Sequence, residues 1–113
     1  MIWLRIQKRS VLDIYVTNEI KNEITNGSKI WELAKIVGDK FPVYYNEKKF
    51  HRIQNVKCKL YEFKPDSQTR YFARLEGNKM MIYHKEIKKK KSLKTKEYNS
   101  ICDAFNFCEV ENG

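Results

Sequence analysis

The stretch VKCKLYEFKPDSQTRYFARLEGNKMMIYHKEIKKKKSLKTK, residues 56–96, decides the fold. Cys58 to Lys64 holds Leu60, Tyr61 and Phe63 ahead of the turn cluster Pro65-Asp66-Ser67. Arg70 to Leu75 alternates: Tyr71, Ala73 and Leu75 point one way, Arg70, Phe72 and Arg74 the other. Glu76-Gly77-Asn78 supplies a hairpin turn, and Met80 to Ile87 returns as the next strand. The expectation is an antiparallel three-strand meander with one buried and one wet face. Glu62 and Lys64 share parity, as do Ile82, His84 and Glu86. Aligned registers then gather Lys64, Arg70, Arg74 and His84 on the wet face, around a carboxylate and an aromatic ring. The plain alternative is a solvated surface where opposite charges pair for little energy.

Upstream, Ile2 to Ile6 reads as a first strand. Ser10 is a suitable helix cap, and Leu12, Tyr15, Val16, Ile20 and Ile24 follow at helical spacing until Asn26-Gly27. Ser28 caps a second helix with Ile30, Leu33, Ala34, Val37 and Phe41 on one stripe, closed by Pro42. Together they predict a helical hairpin covering the meander. Residues 42–55 are irregular, with Tyr44, Tyr45, Phe50 and Ile53 interleaved with Lys48, Lys49, His51 and Arg52. Such a mixture suits RNA stacking, although loop aromatics more often serve packing. A last helix, about Thr95 to Phe107, presents Tyr98, Ile101, Cys102 and Phe105 on one side.

The 113 residues suit one domain, 1–113, with an α+β fold: N-terminal strand, helical hairpin, three-strand meander, C-terminal helix. Hydrophobic content of 42% separates the chain from disordered basic tails. The apolar start is too short for a signal peptide, and no run reaches the length of a membrane span. A net charge of +9 favours a polyanionic partner, nucleic acid first. The three cysteines, Cys58, Cys102 and Cys108, are odd in number and lack C-x-x-C spacing. The reading is therefore reduced thiols acting as apolar fillers in a cytoplasmic protein, with no disulfide framework. His51 and His84 stand at no ligand spacing from a cysteine, so neither metal nor other cofactor is expected.

Several segments carry a family resemblance. Leu60-Tyr61-Glu62-Phe63-Lys64 resembles an L-x-E-L-R strand. Arg70-Tyr71-Phe72-Ala73 is similar to a strand that opens on arginine. Met80 to His84 resembles an apolar strand ending in histidine, and Lys90-Lys91-Ser92-Leu93-Lys94-Thr95 a K-K-x-x-K-T stretch. Their order resembles the RelE/HigB-type toxins of bacterial toxin–antitoxin pairs. Lys64 stands where arginine is usual, and the lysine run is longer than the family pattern. The resemblance implies an mRNA endonuclease working on the ribosome and inhibited by an acidic antitoxin. A branch of the same fold poisons gyrase instead, and a non-catalytic nucleic-acid-binding module is a further alternative.

Metal-free RNA cleavage needs a base for the ribose 2′-OH, a cation for the phosphate and an acid for the leaving 5′-oxygen. Arg70 suits the cation, because a guanidinium matches phosphate oxygens and stays charged. Glu62 is the candidate base, and His84 acid or base, since imidazole titrates near neutrality. Lys64 joins the catalytic set as one of the crowded lysines, with Lys88 to Lys91, because neighbouring like charges make an ammonium a stronger acid, so that one of them can donate the proton. Arg74, Lys88, Lys89, Lys90, Lys91 and Lys94 are the expected RNA-binding positions.

Overall fold

The structure, a computed structural model, describes residues 2–43, 48–87 and 94–105. Its centre is a six-stranded mixed sheet in the order β1-β2-β6-β5-β4-β3. The strands are β1 (Trp3–Lys8), β2 (Asp13–Thr17), β3 (Phe50–Arg52), β4 (Leu60–Phe63), β5 (Thr69–Glu76) and β6 (Lys79–Ile87). Two helices, α1 (Lys29–Lys40) and α2 (Thr95–Ala104), complete the described elements. All neighbouring strands run antiparallel except β2 and β6, which are parallel.

This architecture overturns the expected one. No helical hairpin forms, and the strands read as a free-standing meander are embedded in the larger mixed sheet. The segment read as a first helix instead builds β2 and a short 3-10 turn, Lys21–Glu23. Leu12, Ile14 and Val16 alternate along it and are 3%, 0% and 0% exposed. The period of two therefore prevails over the helical one, helped by the β-branched and aromatic run Ile14-Tyr15-Val16-Thr17. Ser10 caps no helix: its N–H and hydroxyl both donate to Asp39.

α1 follows from its sequence. The Ser28 hydroxyl accepts from the Trp31 N–H, satisfying one orphan donor of the first turn. Ile30, Leu33, Ala34 and Val37 are buried against Ile14, Val16, Tyr61, Phe63, Tyr71, Ala73, Met80 and Ile82 on one sheet face. The C-terminal turn of α1 holds the β1–β2 connection. Arg9 grips Asp39 through two hydrogen bonds, 3.0 and 2.6 Å, and the Gly38 carbonyl accepts from the Val11 and Leu12 N–H groups. The Arg9 guanidinium and the Ser10 N–H hold the Asp39 carboxyl well below the usual carboxylate range. A Cβ on Gly38 would lie 2.5 Å from Arg9 Cγ, so the close approach requires glycine there.

The second face is covered too, where a wet face was expected. α2 packs Ile101 and Cys102 on Trp3, Leu60, Phe72, Met81 and Tyr83, with Tyr98 and Phe105 at the margin. Phe105 lies 5.4 Å from the Trp3 ring and 5.2 Å from Tyr83. A disulfide joins Cys58, just before β4, to Cys102 in α2. The two residues read as reduced fillers are therefore a covalent link, and the cytoplasmic expectation loses the support it drew from free thiols. Their odd number concealed the pair; Cys108 lies outside the described residues. Among the described residues no helix is long and apolar enough to cross a membrane.

Candidate active site

Cross-strand register creates one row of side chains. His51 of β3 pairs with Glu62 of β4, Glu62 with Phe72 of β5, and Phe72 with His84 of β6. All four share the α2 side of the sheet, and Phe72 belongs to the apolar patch that α2 covers. Glu62 is 1% exposed, and a buried carboxylate is costly unless paired. Both of its oxygens are used. Oε1 lies 2.6 Å from His51 Nε2, and Oε2 accepts from Arg70 Nη1 at 3.2 Å. Tyr98 of α2 leans over the same group. Its ring centroid is 6.0 Å from Phe72. Burial pushes the Tyr98 phenol up, the Glu62 charge adds to this, and Arg70 opposes it.

His84 reaches this face through a bulge. Phe72 pairs with His84 but Ala73 pairs with Ile82, which leaves Tyr83 as an extra residue in β6. Tyr83 and His84 both lie on the α2 side, while Ile82 is fully buried on the α1 side. The parity that grouped Ile82 with His84 and Glu86 fails at this point. His84 Nε2 lies 2.8 Å from Glu86 Oε1, and its ring centroid is 6.0 Å from Phe72. An open cleft of about 270 Å³ runs from His84 and Glu86 to Glu97, Ser100, Ile101 and Ala104 of α2.

Of the sequence-selected residues, the fold brings Glu62, Arg70 and His84 together. Lys64 follows directly on β4, where the register carries it to the level of Arg70. Arg74 stands apart, bracing α2: it donates to the Cys102 carbonyl at 3.5 Å and to Glu76 at 3.2 Å, with its guanidinium 4.6 Å from the Phe105 ring centroid. Lys94 is exposed at the N-cap of α2. Lys88, Lys89, Lys90 and Lys91 lie outside the described residues.

Two members of the cluster escaped the sequence reading as site residues. Tyr98 was counted only in the apolar stripe of the last helix. His51 was grouped with the aromatic and basic loop, whereas Phe50-His51-Arg52 forms a short edge strand. The signal was its alternation: Phe50 is 5% exposed in the α1-side core, so its neighbour His51 must face the other way.

The arrangement offers two partly exposed imidazoles, each backed by a carboxylate, with a fixed guanidinium between them. The His51 and His84 side chains are each 32% exposed, whereas that of Glu62 is 2%. If each ring donates Nε2–H to its carboxylate, Nδ1 is the acceptor. Among the described residues no cluster of three or more His, Cys, Asp or Glu is arranged to hold a metal ion. Comparison with protein-family models, with curated proteins and with solved structures found no match to this chain.

Proposed function

We propose that the protein is a metal-independent endoribonuclease that cleaves by attack of the ribose 2′-OH on the adjacent phosphate. The observation that carries this reading is the His51–Glu62–Phe72–His84 row with Arg70 bonded to its buried carboxylate. His51 takes the 2′ proton, because its ring is accessible and Glu62 is not. Glu62 orients the imidazole and balances its positive charge. Arg70 directs its remaining N–H groups at the phosphate oxygens. His84, held by Glu86, delivers a proton to the 5′-oxygen. Three strand spacings separate the His51 and His84 backbones by roughly 14 Å. Phe72 forms the apolar floor between them.

The ribosome, an acidic antitoxin and a cytoplasmic setting stand on the RelE/HigB resemblance. Its expected element order is absent here, so the proposal is drawn to RNA itself. The test is cleavage of a defined oligoribonucleotide in excess EDTA, beside a copy with 2′-deoxyribose throughout. The expected products carry 2′,3′-cyclic phosphate ends, the deoxy strand stays intact, and His51→Ala or His84→Ala slows cleavage by about a hundredfold or more. Equal cleavage by folded His84→Ala protein, or none by the folded wild type, would overturn the proposal.

A further inference from the structure

The catalytic row and α2 are joined in two ways. Cys58 precedes β4, the strand that carries Glu62, and its disulfide partner Cys102 lies one helical turn beyond Tyr98. Tyr98 in turn rests its ring on Phe72, the middle member of the row and two residues along β5 from Arg70 on the same face. The disulfide therefore fixes the position of the ring that covers the middle of the row beside Arg70. The Arg70 side chain is 14% exposed in this arrangement. Cys102 is 2% exposed, while Cys58 is half-buried.

We propose that α2 is a thiol-releasable strap, and that the Cys58–Cys102 bond holds Tyr98 over Phe72 beside Arg70 and limits access of an RNA phosphate to the site. The regulation rests on the ribonuclease reading of the same row. Release needs a dithiol reductant. One of its thiolates attacks the Cys58 sulfur, forming a mixed disulfide and expelling the Cys102 thiolate, which takes up a proton. The second reductant thiolate then displaces Cys58 as a thiol. The reductant leaves as its disulfide, and two electrons and two protons have moved to the protein. The N-terminal half of α2 is mostly exposed at Lys94, Thr95, Lys96 and Glu97, and Asn99 accepts a hydrogen bond from the Lys57 N–H beside Cys58.

Oxidised and dithiothreitol-reduced full-length protein are to be compared by an arginine-selective dicarbonyl reagent mapped by peptide mass, and by amide hydrogen exchange. On reduction, modification of Arg70 and exchange across Tyr98–Ala104 should each rise by about tenfold or more, while the β5 amides keep their protection. Tyr98→Ala, which removes the ring, should raise Arg70 reactivity without reductant. Unchanged Arg70 reactivity and α2 exchange would overturn the strap, as would loss of β5 protection, which makes the bond a staple of the whole fold. RNA cleavage on the same samples separates the two readings. Release of α2 with no cleavage in either state would sink the ribonuclease and leave the strap. Equal cleavage in both states would sink the strap and leave the ribonuclease.

Discussion

At the scale of single residues, Glu62 holds the site in place because it is buried and fully paired. Glu62→Ala leaves Arg70 and His51 without their shared acceptor. Urea unfolding should show a loss of about 3 to 5 kcal/mol, the usual result of orphaning one half of a buried ion pair. Gly38→Ala should destabilise by about 1 to 3 kcal/mol in the same assay, although alanine favours helices elsewhere. The new methyl group meets Arg9 carbons at 2.5 and 2.8 Å and the Leu12 carbonyl at 3.1 Å. Asp39 gives a pH dependence with a definite sign. Its folded pKa lies below its unfolded one, so its stabilising effect is complete above the ordinary carboxylate range and is lost as pH falls through and below that range. Asp39→Asn should remove this part of the acid-side slope in thermal melts between pH 5 and 2. Strand parity alone placed Arg70 on one face with a carboxylate, and the register pairs it there with Glu62. His84 was selected on a parity that the Tyr83 bulge breaks, and only a register makes such a bulge visible.

At the scale of elements, α1 was legible because every signal for it is local: a serine cap, a stripe at helical spacing and a stop. Ser28→Ala should lower the melting free energy by about 1 kcal/mol, with its largest effect on exchange at the first turn of α1. β2 was not legible for the converse reason. Leu12, Tyr15, Val16 and Ile20 fit a helix as well as Leu12, Ile14 and Val16 fit a strand. The deciding contact is the parallel pairing of Asp13–Val16 with Lys79–Ile82, far along the chain. β3 failed similarly, since three residues between loops carry too few positions for a period to register.

At the scale of the whole molecule, the net charge of +9 remains the most direct statement the composition makes. RNA affinity should fall linearly on a log–log plot against salt, with a slope near −0.7 for each phosphate contacted, measurable by filter binding with His84→Ala protein. A flat salt profile would remove the nucleic acid as partner. The coverage of both sheet faces was hidden because the residues that do it, Phe72, Leu60 and Ile101, look alike whether they meet solvent, a helix or a ligand. The parallel β2–β6 contact also sets an order of events during synthesis. The β1–β2 hairpin is made first, but its second strand finds its other neighbour only once residue 82 has been added. Until then Ile14 and Val16 present an open edge to the cell, so a nascent chain stalled before β6 is a natural client for chaperones.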